Sequence, residues 1–405
     1  MNLDDKPKLR QVEAVPAEID GERVIYLRDA AGFSDHTIAV PPAAFFLIAH
    51  FDGKHTIRDV QTAYVRRFGE LITSDRIIAL VQKLDEALFM EGERFEAHRR
   101  KVVEEFRRSR VRKAVHAGTA YPGEPAKLRA QIERFFEPPE GPGEVHSGVA
   151  EGRVIAVAAP HIDLRRGGPT YAHAYKALLE GCSATTFVIL GTLHHGGRGP
   201  VIVTDKDFET PLGVLTCDRD FTRELVRRAG LTATDEEIAH RAEHSIEFQA
   251  IFLKHLLGTS RAARIVPVLC GPVSDDKDRA TVQAFAAALR EVLEERGGDA
   301  AVIASVDLSH VGRRFGDDLD LSPELLRWLE KEDRALLQHA EKMRADDFLE
   351  HNRRTGDRTH VCGLPALYLL LMAVPATHGR VLHYAQSPDP ATQSVVTYAA
   401  MAFER

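Results

Sequence analysis

The chain is short of cysteine, of tryptophan and of long apolar runs. Four cysteines in 405 residues (Cys182, Cys217, Cys270 and Cys362) are widely spaced and form no CxxC pair. So few bridges would add little to a protein of this size, so a disulfide framework is excluded and a reducing, cytoplasmic setting is expected. No stretch reaches the ~18 apolar residues that a bilayer span requires, and the longest candidate, residues 364–374, reads as a buried helix. No membrane association is expected. The amino terminus, MNLDDKPKLRQ, lacks the apolar core of a signal peptide. Nothing repeats at a fixed period. Positive charge is not in excess either: 53 Lys and Arg face 60 Asp and Glu, for a net charge of −7. That balance argues against a nucleic-acid binder and leaves only a local basic stretch, residues 99–113. Phe106 is the one aromatic residue within it, so stacking of single-stranded bases is unsupported and a solvated helical linker is expected.

What the chain does have is a series of short apolar runs that stop at imidazoles or a carboxylate. Residues 153–160 (RVIAVAAP) stop at His161, and 185–193 (TTFVILGTL) stop at His194 and His195. Residues 301–306 (AVIASV) stop at Asp307, with His310 close behind. Runs of this length and composition read as strands buried on both faces of a parallel sheet. Helical patterns alternate with them, which predicts a layered α/β domain over residues 115–405. Ligand sites of open α/β sheets lie beyond the carboxyl ends of the strands. Packing alone does not require a histidine at successive strand ends, so these residues are expected to converge on one site.

Residues 1–96 read as a separate, small, mainly helical domain. Residues 43–51 suit one helix, and Thr56 suits the N-cap of a second over 57–68. Thr73 or Ser74 suits the cap of a third, in which Ile77, Val81, Leu84 and Leu88 recur at helical spacing. Residues 88–95 (LFMEGERF) suit a short hairpin around Gly92. The order helix, helix, helix, hairpin is that of a winged-helix unit, and residues 97–114 then form the linker. The FDG turn at 51–53 and the helix order resemble PqqD-like peptide-recognition domains over about fifty residues.

Neutral imidazole is the commonest metal ligand in proteins, and thiolate is a softer one. His161 and His194 occupy comparable positions past two strands, so one ion bound from adjacent loops is the chemistry they suggest. Cys362 stands just before the apolar helix, where the positive end of the helix dipole is expected to favour the thiolate. Cys270, at another strand end, is the rival thiol. Asp307, His310 and Glu243 are candidates for orienting the imidazoles or moving protons.

Seven motifs carry a family resemblance: HAGTAYPG (116–123), APHID (159–163), LGTLHHG (190–196), EHSIEFQ (243–249), ASVDLSH (304–310), VCGLPA (361–366) and YAQS (384–387). In this order and spacing they resemble the Memo family over about 290 residues. The resemblance implies the α/β/α fold of class III extradiol, LigB-like dioxygenases. It also implies a metal site of His161, His194 and Cys362, where the dioxygenases use two histidines and a carboxylate. Iron (Fe2+) is the expected metal, with copper or zinc as alternatives. Asp307, His310 and His116 match residues lining the same cleft, and His195 is the other candidate acid-base group. Prokaryotic members are known as protein B of the AmmeMemoRadiSam system, which implies a peptide or protein partner, including a radical-SAM protein. The family's usual APHAGY is here APHIDL, followed by Arg165 and Arg166, which brings charge beside the expected ligand. It serves either an anionic ligand or an ion pair at the rim. Three functions follow: a non-haem metal redox enzyme acting on a small or peptide-borne substrate, a non-catalytic peptide- or protein-binding module that retains the cleft, or a hydrolase with a Cys-His nucleophile, which needs a thiolate free of metal.

Overall fold

The structure is a computed structural model that describes residues 1–19, 21–146, 153–232, 235–258 and 262–405. The chain divides into two compact units, Met1–Arg108 and Ser109–Arg405. The second unit is built on a large mixed sheet whose middle strands are parallel. Its order runs Ser394–Glu404, Val154–Ala159, Ala300–Ser305, Thr186–Thr192 and Arg264–Cys270. The last four are mutually parallel, and Ser394–Glu404 lies antiparallel against Val154–Ala159.

Side chains on these strands alternate between two cores, as the period of two requires. Ala156, Val188, Val266 and Val302 face one core. Val157, Phe187, Ile265 and Ile303 face the other. Helices Asp276–Glu295 and Leu364–Ala373 cover the first face through Phe285, Leu289, Leu367 and Leu370. Helices Leu164–Gly181 and His244–Leu257 cover the second through Tyr171, Tyr175, Ile246 and Phe252. The layered α/β/α arrangement is therefore present. Residues 307–310 do not simply trail off their strand. They open a further strand, Asp307–Gly312, that pairs antiparallel with Ser394–Glu404.

The first unit differs from its expected order. Three antiparallel strands, Glu13–Ile19, Glu22–Arg28 and Thr37–Val40, precede the helices. Helices Pro42–Ile48, Ile57–Phe68 and Ser74–Glu86 then follow, with Thr56 and Asp59 closing a reciprocal capping box on the second. The hairpin expected at residues 88–95 is not there. Leu88 instead turns the chain with φ 64°, Met90 bridges to Leu9, and a helix begins at Glu93. The backbone of this short stretch is met by the amino-terminal segment, since Arg10 N donates to Phe89 O. No partner strand is left to fold back from residues 93–95.

The linker expected at 97–114 is likewise divided. Residues 97–108 continue the helix Glu93–Arg108, with Val102 and Phe106 buried, inside the first unit. Arg112 is fully buried in the second. The Pro- and Gly-rich stretch 137–152 reads from its composition as a surface loop, and it is described only to His146, the rest lying outside the described residues. Among the described residues no helix is long and apolar enough to cross a membrane.

The apolar helix Leu364–Ala373 is docked on a strand end at its first turn. Gly363 N donates to Asp307 O at 3.1 Å. A Cβ placed on Gly363 would lie 2.5 Å from Val306 Cβ and 2.6 Å from Asp307 O. Neither backbone can yield cheaply, so Gly363→Ala is expected to cost about 1–3 kcal/mol of stability, the range of an overpacked core. Urea denaturation reads it, and an unchanged midpoint would mean that this turn does not meet the strand end so closely.

Candidate metal centre

Three neighbouring parallel strands deliver the first side chains. Ala300–Ser305 lies between Val154–Ala159 and Thr186–Thr192, so Asp307 emerges between His161 and His194. His161 is buried at 2 % exposure. Its backbone N–H donates to Asp307 Oδ1 at 2.9 Å, and its Nδ1 lies 3.0 Å from the Ser305 carbonyl. A carbonyl only accepts, so Nδ1 carries the proton and Nε2 presents a lone pair. Burial, with His194 and His244 nearby, holds the His161 pKa well below its usual value, and the ring is neutral.

His194 is oriented by Glu243, from the mouth of the helix His244–Leu257. The Glu243 carboxylate accepts from His194 N at 2.9 Å and lies 3.0 Å from His194 Nδ1. The same carboxylate caps its own helix by accepting from Ser245 N at 3.0 Å. It also lies 3.2 Å from His244 Nδ1. Burial opposes charge on both partners, but their mutual attraction outweighs it. Glu243 is held well below the usual carboxylate range and His194 well above the usual imidazole range, with Cys362 adding to the latter.

His161, His194 and His244 each place one ring nitrogen within 4.8 Å of the others. The His194 and His244 rings stack at 4.7 Å, and the His161 ring stands edge-on to His194 at 4.9 Å. Cys362 joins from the other side, its Sγ 3.2 Å from His161 Nε2 and bonded to His194. The dipole-lowered thiol expected for Cys362 is not found. Burial pushes its pKa up, with His194 opposing in part. The N-cap of the apolar helix is Gly363, so Cys362 lies one residue before the cap and two before the first turn. Cys270 is fully buried and its thiol is pushed up by burial as well; it lines the same cavity as His194 and Cys362.

The remaining expected residues surround this group. Asp307 is buried, its carboxyl raised by burial and partly restored by His310 and by the His161 and Ile162 amides. His310 Nδ1 is bonded to Leu308 O, and burial keeps its pKa low against the pull of Asp307. His195 is half-buried, its ring 6.3 Å from that of His194. His116 lies behind His244, ring to ring at 5.9 Å, with Nε2 bonded to Ala242 O. At the entrance to helix Leu164–Gly181, Asp163 accepts from Arg166 N and pairs with its guanidinium. The charge after His161 therefore includes an ion pair.

His244 was not among the expected ligands. It begins a helix that starts beyond the same sheet edge, so the reasoning applied to strand ends applies to it as well. Also unforeseen is the buried pair beneath it. Arg112 donates to the Glu247 carboxylate, to Glu243 O at 2.7 Å and to His240 O at 3.0 Å. Tyr121 OH and His116 N also donate to Glu247. The segment 112–121 is thereby tied to the helix that carries Glu243 and His244.

Residues 112–402 match the family model described as Memo-like protein. A MEMO1 family protein of Aquifex aeolicus is 29 % identical over 401 residues, spanning 98 % of this chain and all of that protein. Those of Methanopyrus kandleri and Methanothermobacter thermautotrophicus are 33 % and 32 % identical. Each archaeal alignment covers 71 % of this chain, and 97 % and 99 % of the respective relative.

Both Arg112 and Glu247 are wholly buried, so removing one strands the other's charge. Arg112→Met is expected to cost about 3–5 kcal/mol in chemical denaturation, and Arg112→Met with Glu247→Leu less than the two single costs added. Additive losses would show that the two charges stabilise the fold independently.

Proposed function

The chain belongs to the Memo family, related to the LigB-like dioxygenases, and on that premise we propose that it is a metal-dependent redox enzyme of the non-haem type. Its substrate is a small molecule or a peptide-borne group, and iron is the favoured metal, with copper or zinc as alternatives. One observation carries this reading: three histidine nitrogens lie within 4.8 Å of one another, with a thiol 3.2 Å from one of them.

The donors fit such a group. Ser305 O fixes the tautomer of His161, and Glu243 fixes the ring of His194, which is how ligating imidazoles are usually oriented. A bound ferrous ion would supply open positions for dioxygen and substrate, and one-electron chemistry. The protein's own part is to hold lone pairs toward one point, exclude water and move protons. His310 suits the last task, because its Nδ1–H donates to Leu308 O and leaves Nε2 to accept a proton. Asp307 bonds the backbone N–H of His161 and favours the cationic form of His310. A cytoplasmic setting is consistent with four free cysteines, three of them buried.

The expected partner is a peptide or protein of a modification system, including a radical-SAM protein, with the first unit as a PqqD-like peptide-binding module. Anaerobic co-purification of the full chain with a radical-SAM protein of the same cell tests this; no stoichiometric complex would remove that partner.

Elemental analysis of protein purified without added metal tests the main reading. Near-stoichiometric iron or copper is expected in the natural chain, and its loss in His161→Ala and His194→Ala. His244→Ala and Cys362→Ala then separate the two third donors, since the variant that loses more metal identifies the ligand. Natural protein that takes up no metal, even after anaerobic ferrous reconstitution, would leave the binding module as the better reading. Glu243→Gln keeps the shape but loses the carboxylate charge, and chelator competition should show metal affinity about 10–100-fold lower. An unchanged affinity would mean that Glu243 does not orient a ligand.

A further inference from the structure

A cavity of about 700 Å3 opens onto His194 and Cys362. Its size is that of a small-molecule site. Its lining includes Arg279 and Arg353, while Leu364 and Tyr368 supply apolar surface. Arg279 comes from the first turn of helix Asp276–Glu295, and Arg353 from the end of helix Ala345–Arg354.

Arg279 is distinctive for what it lacks. Its Nε is buried without a hydrogen-bond partner. Among the described residues neither Arg279 nor Arg353 forms an ion pair, whereas most arginines of the unit do. A buried guanidinium N–H without an acceptor is costly, and such a group marks a place where an acceptor arrives from outside. Acidic side chains share the lining, but two are already engaged with backbone amides. Asp275 accepts from Asp278 N at 2.8 Å and Asp357 from Val361 N at 3.2 Å. Asp276 is exposed at the rim. The mouth of helix Leu364–Ala373 meets the same cavity with no side-chain cap and no acid in its first turn, so its dipole also favours an anion.

We propose that this cavity is the substrate subsite of the centre and takes a small organic oxyanion, a carboxylate or a phosphate ester, whose charged end is held by Arg279. It rests on the reading of His194 and Cys362 as part of a substrate-facing centre, and it names that substrate's charge. Arg279 provides a planar fork suited to bidentate recognition of either group. Arg353 adds a second, more exposed cation.

Calorimetric titration of the full chain with succinate and with methyl phosphate tests the proposal. Chelator-treated protein is used, so that failure of the metal reading leaves the result untouched. Saturable one-to-one binding of at least one probe is expected, weakened tenfold or more in Arg279→Gln and less in Arg353→Gln. Arg100→Gln, on the exposed face of a helix in the first unit, should bind as the natural chain does. Arg279→Lys keeps the charge without the fork, and should bind between the natural chain and Arg279→Gln while melting at the same temperature. Succinate binding alone assigns a carboxylate, methyl phosphate binding alone a phosphate, and binding of both a general oxyanion site. Equal affinity in the natural chain and Arg279→Gln, or no binding of either probe, overturns the proposal.

Discussion

Half of the candidate centre, His194 and His244, depends on the Glu243 carboxylate. At 5 % exposure it would be prohibitively costly if unpaired, and it is not unpaired. Its two oxygens meet the backbone N–H groups of His194 and Ser245 and the ring nitrogens of His194 and His244. One side chain therefore joins a strand end to a helix start and fixes two imidazoles. Its main-chain carbonyl is held in turn by Arg112. The chain of dependence runs from a buried ion pair, to a capped helix, to a carboxylate, to the rings. Each link is short and charge-assisted, which is the condition for holding a constellation to within fractions of an ångström.

The sheet explains why such a carboxylate is useful at that place. Parallel strands bring several chain ends to one edge, but each arrives separated by about 4.8 Å from its neighbour and needs a tie to the next. Val306 N bonds Ala159 O, Asp307 bonds His161 N, and Gly363 N bonds Asp307 O. These bonds stitch the His161, Asp307 and Cys362 segments along the edge, as Glu243 stitches the His194 and His244 segments. The centre is the meeting of two stitched halves, and the rings of His161 and His194 meet edge to face at the seam.

What was legible in the sequence was whatever local pattern determines. The buried strands announced themselves as apolar runs, and His161, His194 and Asp307 were readable as the residues that end them. His244 was harder, because Glu243-His244-Ser245 reads as a helix cap and a capping segment is already explained. Arg112 was hidden for a different reason. It sits in a run of basic residues, where solvation is the ordinary state, and its partner Glu247 lies 135 residues away. The first three strands are hidden because Glu13–Ile19 (EAVPAEI) has no alternating run of large apolar residues and is exposed or half-exposed throughout. The false hairpin had a local cause as well, since Gly92 suggested a turn where the chain was instead about to enter a helix.

The two overlapping donor sets have different chemistry. His161 and His194 are common to both, and His244 or Cys362 completes them. His161 is neutral and offers Nε2 without cost. His194 holds a proton against Glu243, and Cys362 keeps its own because burial disfavours a thiolate. Any cation taken up there must displace those protons, so uptake weakens as pH falls and the centre favours metals that bind thiolate strongly enough to compensate. With His244 as third donor no thiolate is needed, and the site suits a borderline metal held by imidazoles alone. Cys362 then remains a thiol facing the cavity beside Tyr368 and Arg279, exposed to whatever occupies it. The same atoms thus describe either a thiolate-ligated centre or an all-histidine centre with a thiol in its substrate space, and the difference lies in whether Cys362 or His244 completes the set with His161 and His194.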